Sequence, residues 1–214
     1  MKKTFWLEKW EENQIGFHQA EYNPFLTQLW PDLVGDSRED VLVPLCGKSK
    51  DMVYLHEHGH KVVGVELAQK ALKEFFQEQK IEYRVEGHSY TNKDYELWCD
   101  DIFTLDPKGF DAIKFVYDRA ALVALPEDMR MDYAKWLIAL PHVERILLVV
   151  FEFASEVGPP FSIQLSDLKR YFGEAFQIEL KKEVEFSGEK VHIHQDKIDK
   201  ITYKAYFLSK KKRP

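Results

Sequence analysis

The apolar positions of this chain form short, nearly continuous runs. Apolar runs of about four to eight residues bounded by turn residues predict strands that are buried on both faces. Such runs cover residues 41–46, 61–66, 95–99, 111–117 and 145–153. Between them, apolar residues recur with the spacing of a helix face at 50–58, 69–79 and 129–140. Gly59 and Pro141 are typical helix stop signals after the first and third of these segments.

Strands that alternate with helices predict right-handed βαβ units and a mostly parallel sheet with helices on both faces. The last third differs, because apolar and polar residues alternate at 176–186 and 200–208, on either side of a His-rich region with Gly188. This alternation predicts an antiparallel hairpin that completes the sheet. The length of 214 residues fits a single α/β domain. We place its core at 36–214, behind an aromatic N-terminal segment at 1–35.

The N-terminal segment has two interpretations. Trp6 and Trp10 stand four residues apart, so a helix would place them on one face. Phe17 follows in the same aromatic-rich stretch. These side chains could cover an edge of the sheet, or they could form a helical lid over a ligand.

Composition narrows the classes of function. Hydrophobic residues make up 45% and charged residues 31%, which is typical of a folded chain. The formal net charge is −6, and the basic residues are scattered except at 210–213, which we expect to be a solvated tail. We therefore expect no nucleic-acid partner. The chain also carries no obvious interface signal, so we expect a monomer.

Membrane and secretion signals are also missing from the pattern. No run approaches the roughly 18 apolar residues that a membrane span needs. Charged residues such as Glu8 and Glu11 interrupt the apolar core that a secretion signal would require. Cys46 and Cys99 are too far apart for a CxxC site, and we expect them to be small buried residues in a reducing compartment. We therefore expect a cytoplasmic protein.

The stretch "VLVPLCGKSKDM" joins the first strand to the first core helix through Gly47. A Walker phosphate loop needs a second glycine five residues earlier, where this chain has Leu42 inside the strand. A dinucleotide fingerprint needs three glycines, and "PLCGKS" has one. The stretch therefore predicts a tight turn without a pyrophosphate cradle. In an open α/β sheet, ligands bind beyond the carboxyl ends of the strands, above such a turn.

Acidic residues end the next two strands. Glu66 lies nineteen residues after Gly47, where a carboxylate can accept hydrogen bonds from two ribose hydroxyls. Asp101 and Ile102 follow the third strand, where they can meet an adenine ring. An adenosine ligand without phosphates fits this pattern, and S-adenosylmethionine is one. Glu66 could equally be a helix cap or a solvated charge, and a nicotinamide-dependent oxidoreductase or a non-catalytic binding module stays open.

Several stretches together resemble the thiopurine S-methyltransferase family in its bacterial form. The matching stretches are "FWLEKW", "QIGFHQAEYNP", "VLVPLCGKSKDM", "GHKVVGVELAQKALKEFF", "DDIF", "YDRAALVALP" and "GPPFSI". The resemblance implies a Rossmann-like class I methyltransferase fold with a seven-stranded sheet whose last strand is antiparallel. It implies methyl transfer from S-adenosylmethionine to aromatic or heterocyclic thiols. Because bacterial members resemble detoxification enzymes, selenium or tellurium oxyanions are a second acceptor class.

The resemblance also implies site residues. The implied cofactor contacts are Trp10, Leu45, Glu66, Asp101, Ile102 and Arg119, with Trp6 joining Trp10 in the lid and Gly47 forming the turn. Phe17 matches a substrate contact, and the "GPPFSI" loop is expected to wall the acceptor pocket. Arg119 is our candidate for stabilising an acceptor thiolate, with Asp118 beside it as a second catalytic candidate. The alternative for this pair is a structural ion pair or a charge at a helix N-terminus.

The histidines raise the question of a metal site. His56, His58 and His60 alternate near the end of a helix, and His192 and His194 alternate in the C-terminal region. On a helix, residues two positions apart do not share a face, and no acidic or cysteine partner is evident nearby. We therefore expect no metal ligands here.

Overall fold

The computed structural model describes residues 3–194 and 196–212. The helices are α1 Lys3–Glu11, α2 Pro24–Val34, α3 Asp51–Glu57, α4 Gln69–Gln79, α5 Glu127–Ile138 and α6 Leu165–Phe172. The strands are β1 Asp40–Pro44, β2 Val62–Glu66, β3 Arg84–Glu86, β4 Ser89–Thr91, β5 Tyr95–Cys99, β6 Ile113–Arg119, β7 Arg145–Glu152, β8 Phe176–Ser187 and β9 Lys200–Lys210. Every helix and strand expected from the pattern is present, with ends that differ by a few residues at most.

The described residues form one sheet of nine strands in the order β3-β4-β5-β2-β1-β6-β7-β9-β8. Strands β5, β2, β1, β6 and β7 run parallel, and β9 pairs antiparallel with both β7 and β8. The expected count of seven was wrong, because β3 and β4 add a short antiparallel hairpin at the β5 edge. All three residues of β3 are exposed, so that strand lacks the apolar signal of a buried one.

Helices cover both faces of the sheet, as the apolar strand runs require. Helices α2, α3 and α4 bury their apolar residues in a cluster on one face, which includes Trp30, Leu55 and Phe75. Helices α5 and α6 pack on the other face, around Tyr133 and Phe172. Alternate residues of each central strand enter the two clusters. The open edge above the carboxyl ends of the strands is therefore left for a ligand.

The N-terminal segment divides into two parts at Asn23. Helix α2 starts there, since the Asn23 side chain accepts a hydrogen bond from the Phe25 N–H at 3.0 Å and Pro24 occupies the first turn. Six of its residues are buried against the sheet, among them Trp30. Residues 24–34 therefore belong to the core, and the boundary expected at 35 does not separate a lid from the core. Only the part before Asn23 lies over the ligand-binding edge.

The C-terminal hairpin is formed by β8 and β9, as expected. The tail is less solvated than predicted, because Lys210 ends β9 and its Nζ donates to the Ile138 carbonyl at 3.0 Å. The Lys211 N–H donates to the Ala175 carbonyl at 2.9 Å, and Arg213 lies outside the described residues. Among the described residues, every helix is too short or too polar to cross a bilayer.

Candidate active site

A cavity of about 650 Å³ opens above the carboxyl ends of the central strands. Its floor is formed by the residues that follow β1, β2 and β5 and by the last residues of β6. Helix α1 and the residues up to 19 that follow it, here called the α1 segment, form one wall. Residues after β7 together with the region before β9 form the opposite wall. This volume is within the usual range for small-molecule sites.

The turn after β1 brings backbone close to the cavity. Leu45 and Gly47 both have left-handed φ angles, of 48° and 53°. Leucine rarely adopts this conformation, whereas glycine does so without strain. A Cβ added at Gly47 would lie 3.0 Å from the Trp10 ring, so the indole packs directly on this turn. The cavity thus has a backbone cradle that any side chain at Gly47 would fill.

Glu66 links this turn to the end of β2. Its Oε2 accepts a hydrogen bond from the Gly47 N–H at 2.9 Å, and its Oε1 accepts one from the Ala68 N–H at 2.8 Å. Burial raises the pKa of this carboxyl, and the backbone N–H donors oppose that rise. Each oxygen of an ionised carboxylate can accept a second hydrogen bond. The Glu66 side chain is therefore fixed in place and can still accept bonds from a diol in the cavity.

The end of β5 presents a different set of groups. Asp101 accepts the Phe103 N–H on Oδ1 at 3.1 Å, and its Oδ2 pairs with Lys3 Nζ of α1 at 2.6 Å. Ile102 is buried and lines the cavity. In the described part of the chain its N–H donates to no acceptor. This arrangement offers a free backbone donor and an apolar side chain beside each other, which suits the edge and face of a purine.

The aromatic residues of the α1 segment pack against one another over the cavity. The Phe17 ring makes edge-to-face contacts with Trp6 and with Trp10, at centroid distances of 5.7 and 5.6 Å. Lys70 of α4 holds the end of α1, since its Nζ donates to the Trp10 carbonyl at 2.9 Å and to the Glu11 carbonyl at 3.2 Å. A lysine at this end also complements the helix dipole. The segment is thus positioned as a lid.

Arg119 ends β6, and its guanidinium turns toward the start of α3. Its Nε donates to Asp51 Oδ2 at 2.8 Å, and its Nη2 donates to Ser49 Oγ at 3.1 Å. Burial lowers the pKa of Arg119, but the nearby Tyr117 and Asp51 outweigh burial and raise it. The side chain therefore stays cationic at the cavity wall. Asp51 was not among the residues expected from the sequence, because an acid in a first helical turn needs no special function.

Asp118 does not accompany Arg119 into the cavity. Successive strand residues point to opposite faces, and Asp118 faces the α5 side. There it accepts hydrogen bonds from the Tyr133 hydroxyl at 2.7 Å and from the Leu122 N–H at 3.2 Å. It is fully buried and is not a lining residue of the cavity. The prediction that Asp118 acts in the chemistry was therefore wrong, because its side chain does not reach the cavity. Asp118 also forms no ion pair with Arg119, since the two side chains lie on opposite faces of β6.

The far end of the cavity is apolar and aromatic. Its lining there includes Phe151, Pro159, Pro160, His194 and Tyr203. The "GPPFSI" loop is fastened to its surroundings, since the Phe161 N–H donates to the Val123 carbonyl at 2.7 Å and the Ile163 N–H donates to the Phe151 carbonyl at 2.8 Å. The expected wall thus lies at the cavity. His194 and Tyr203 were missed, because nothing in their local sequence shows that the hairpin returns to this edge.

Almost the whole length of the sequence is similar to one known family. The family model described as thiopurine S-methyltransferase matches residues 1–211. The chain belongs to this family. A thiopurine S-methyltransferase of Pseudomonas fluorescens strain Pf-5 is 38% identical, with 98% of each chain covered. One of Marinobacter nauticus is 43% identical over 83% of this chain and 84% of that relative.

Solved structures agree with the fold of this thiopurine S-methyltransferase family member. The 1,6-didemethyltoxoflavin-N1-methyltransferase of Burkholderia thailandensis, solved with S-adenosylhomocysteine, covers 98% of this chain and 87% of its own length at a TM-score of 0.66 and 15% identity. A SAM-dependent methyltransferase of Anabaena variabilis covers 98% and 95% at a TM-score of 0.65 and 12% identity. At these identities the likeness shows the fold alone.

Family membership confirms three expectations. The fold is that of a class I methyltransferase, the chain is an S-adenosylmethionine-dependent methyltransferase, and S-adenosylmethionine is its cofactor. It decides against a nicotinamide-dependent oxidoreductase. The Gly47 cradle, the Glu66 carboxylate and the free Ile102 N–H form a donor and acceptor set that fits an adenosine group.

The histidines of the methyltransferase have other partners. His58 stacks on Tyr54 at 3.9 Å, and His60 is buried between the Trp30 Nε1–H and the Glu39 carbonyl. His56 lies 3.9 Å from Asp94. Within residues 3–194 and 196–212, no three His, Cys, Asp or Glu side chains converge on a possible metal position.

Proposed function

We propose that this enzyme transfers a methyl group to the sulfur of an aromatic or heterocyclic thiol. The observation that carries the proposal is the continuity of the cavity. Glu66 and the Gly47 turn lie at one end, Phe151 and Tyr203 at the other, and all four line a single space. An apolar aromatic end favours a flat organic ring over a strongly hydrated oxyanion.

The groups at the cofactor end match the hydrogen-bonding groups of adenosine. We assign the two free acceptor positions of Glu66 to the ribose hydroxyls, and the Ile102 N–H to an adenine ring nitrogen. Leu45 and Gly47 supply the turn, and Asp101 acts through the backbone that follows it, since its side-chain oxygens are bonded to Phe103 and Lys3. These roles follow from the hydrogen-bonding capacity that the folded chain leaves unused.

The lid contributes aromatic faces and excludes water. When bound, S-adenosylmethionine supplies a methyl group on a positively charged sulfur, which is already activated for displacement. Trp6, Trp10 and Phe17 offer ring faces that attract a cation. We also assign Phe17 to the acceptor. The chain needs no nucleophile of its own, because the acceptor sulfur attacks as a thiolate after its proton has left to water. Holding both reactants close and dry supplies the catalysis.

The same site leaves a second acceptor class to test. Selenium or tellurium oxyanions, which the resemblance implied for bacterial relatives, are small and would use little of the aromatic end. A cytoplasmic monomer stays our prediction, and the free thiols of Cys46 and Cys99 are compatible with a reducing compartment.

Calorimetric titration tests the cofactor site. S-adenosylmethionine and S-adenosylhomocysteine should bind, whereas NAD and ATP should not. Glu66→Ala should weaken the binding of both adenosyl compounds by about 10- to 100-fold, since hydrogen bonds to a charged group are lost. Glu86→Ala, on the exposed strand β3, is the matched control and should leave binding unchanged. Binding of NAD without either adenosyl compound would overturn the proposal.

A turnover assay tests the acceptor. With thiophenol and S-adenosylmethionine, S-adenosylhomocysteine should form at a rate proportional to the enzyme concentration. Phenol has the same ring with an oxygen in place of sulfur, and it should give no S-adenosylhomocysteine. Selenite and tellurite form the second arm. Turnover of the oxyanions without turnover of any thiol would replace the acceptor class and leave the cofactor assignment intact. Binding of the cofactor without turnover on either arm would exclude both acceptor classes and leave the cofactor assignment intact.

A further inference from the structure

Asp51 is a buried carboxylate with three hydrogen-bond donors around it. It is only 1% exposed and is absent from the residues that line the cavity. Its Oδ1 accepts the Asn23 N–H at 2.8 Å. Its Oδ2 accepts the Tyr117 hydroxyl at 2.9 Å and the Arg119 Nε–H at 2.8 Å. Asp51 therefore lies behind Arg119 and ties it to α3 and to the start of α2.

Among the residues that the structure describes, the hydrogen bonds of Arg119 leave one edge of its guanidinium open. The group has five N–H donors in a rigid plane. The side edge, made of Nε and Nη2, is used by Asp51 Oδ2 and Ser49 Oγ. The terminal edge, made of Nη1 and the second hydrogen of Nη2, points away from these partners. Because the plane is rigid, fixing the side edge also fixes the direction of the terminal edge.

The position of this open edge indicates that it binds the cofactor and not the methyl acceptor. Ser49 and Asp51 directly follow the Gly47 turn, and Gly47 is hydrogen-bonded to Glu66. The guanidinium is thus held beside the turn that follows β1, which we assign to the cofactor. The amino-acid part of S-adenosylmethionine ends in a carboxylate, and the terminal edge of an arginine binds a carboxylate through two parallel hydrogen bonds.

We infer that Asp51 is a positioning residue, whose carboxylate aims Arg119 at the carboxylate of the cofactor. The inference rests on the proposed cofactor site. Asp51 touches neither the cofactor nor the acceptor. The Tyr117 hydroxyl and the Asn23 N–H disperse its negative charge, so that Arg119 keeps a positive edge for a second anion.

Two ligands that differ in the amino-acid group test the inference. S-adenosylhomocysteine carries this group, and 5′-methylthioadenosine lacks it. In Asp51→Asn, the side-chain amide turns N–H donors toward Arg119 and Tyr117 and removes the charge. Calorimetry should then show about 10- to 100-fold weaker binding of S-adenosylhomocysteine, the loss expected for one misplaced charge-assisted pair. Binding of 5′-methylthioadenosine should change by less than about twofold.

Asp118→Asn is the matched control, because it makes the same substitution in a buried acid on the opposite face of β6. Both dissociation constants should stay within about twofold of wild type. If Asp51→Asn does not fold, as judged by circular dichroism, Asp51→Glu replaces it. That variant keeps the charge and shifts the carboxylate by one methylene. It should therefore weaken the binding of S-adenosylhomocysteine but not that of 5′-methylthioadenosine, and by a smaller factor than Asp51→Asn.

Equal losses for both ligands, or no loss for either, would overturn the inference. In the first case Asp51 would support the site as a whole, and in the second Arg119 would need no positioning. Failure of the wild-type protein to bind either adenosyl compound would instead contradict the proposed cofactor site. The two failures are therefore distinguishable.

Discussion

Two pairs of tyrosine and aspartate lie on opposite faces of β6. On the cavity side, the Tyr117 hydroxyl donates to Asp51 at 2.9 Å. On the α5 side, the Tyr133 hydroxyl donates to Asp118 at 2.7 Å. Both acids are buried, with exposures of 1% and 0%. The first pair also includes the cation of Arg119. The second has no cation in the described part of the chain, and backbone N–H donors complete it.

The missing cation changes the protonation chemistry of the second pair. Burial raises the pKa of Asp118 to about 6, although the Tyr133 hydroxyl and the backbone N–H donors of Leu122 and Ala121 oppose the rise. An acid of this kind could be mistaken for a general acid in a site. Asp118 lies away from the cavity, so its raised pKa results from burial in the core and does not indicate a catalytic role. The pair on the cavity side differs because it holds the Arg119 cation, and Arg119 lines the cavity.

The largest effect should follow from removal of the cation. Arg119→Ala leaves Asp51 buried and negatively charged, and breaking a buried pair in this way costs about 3–5 kcal/mol. We expect a large drop in the free energy of unfolding, measured by urea denaturation, and a loss of S-adenosylhomocysteine binding. The double variant Arg119→Ala with Asp51→Asn removes the unpaired charge and should recover part of the stability without recovering binding. A double variant no more stable than Arg119→Ala would contradict this account.

The next effect concerns the acid without a cation. A folded-state pKa of about 6 for Asp118 lies above the value of about 3.9 expected for the unfolded chain. The contribution of Asp118 to stability is therefore fully present below about pH 4 and is lost as the pH rises through about 6. Asp118→Asn removes this dependence. The free energy of unfolding of the variant, measured relative to wild type, should therefore rise on the order of 2–3 kcal/mol between pH 4 and pH 7.

Urea denaturation at several pH values measures this shift. The amide can still accept the Leu122 N–H and donate to the Tyr133 oxygen, so the packing is preserved. Methyl transfer at neutral pH should stay near the wild-type rate, since Asp118 is outside the cavity. A collapse of turnover in a stable Asp118→Asn protein would show that the acid acts in the chemistry after all.

The smallest effect compares the two hydroxyls. Tyr133→Phe leaves Asp118 with backbone donors alone and should cost about 1–2 kcal/mol at pH 7. Tyr117→Phe leaves Asp51 with both Arg119 and the Asn23 N–H, so its cost should be less than about 1 kcal/mol. Thermal denaturation of the two variants under the same conditions gives the comparison. A larger loss in Tyr117→Phe would mean that the ion pair depends on its hydroxyl more than its geometry indicates.

Much of the fold could be predicted from periodicity, where one face of an element is buried. The expected range 69–79 coincides with α4, and 95–99 coincides with β5. Elements without such a signal were missed. Strand β3 is exposed along its length, and α6 has only eight residues, too few for a clear helical period.

The candidate site could be predicted where function requires a special backbone or a strand end. Gly47 met the first condition and Glu66 met the second, and the structure joins them by a hydrogen bond of 2.9 Å. Asp51 and Tyr203 met neither, so no local pattern pointed to them. Asp118 was placed beside Arg119 because the two are adjacent in sequence, although alternation along a strand separates them.

The sequence by itself determined the alternation of strands and helices, the absence of a pyrophosphate loop at Gly47 and the family to which the chain belongs. These properties depend on local spacing and on residue types at fixed positions, which the chain carries whether or not it is folded. Only the tertiary structure decided that α2 belongs to the core, that Asp118 faces α5 and that Asp51 holds Arg119. The partners of Asp51 lie 28, 66 and 68 residues away from it along the chain. Contacts over such separations exist only once the sheet has assembled and its two faces are fixed.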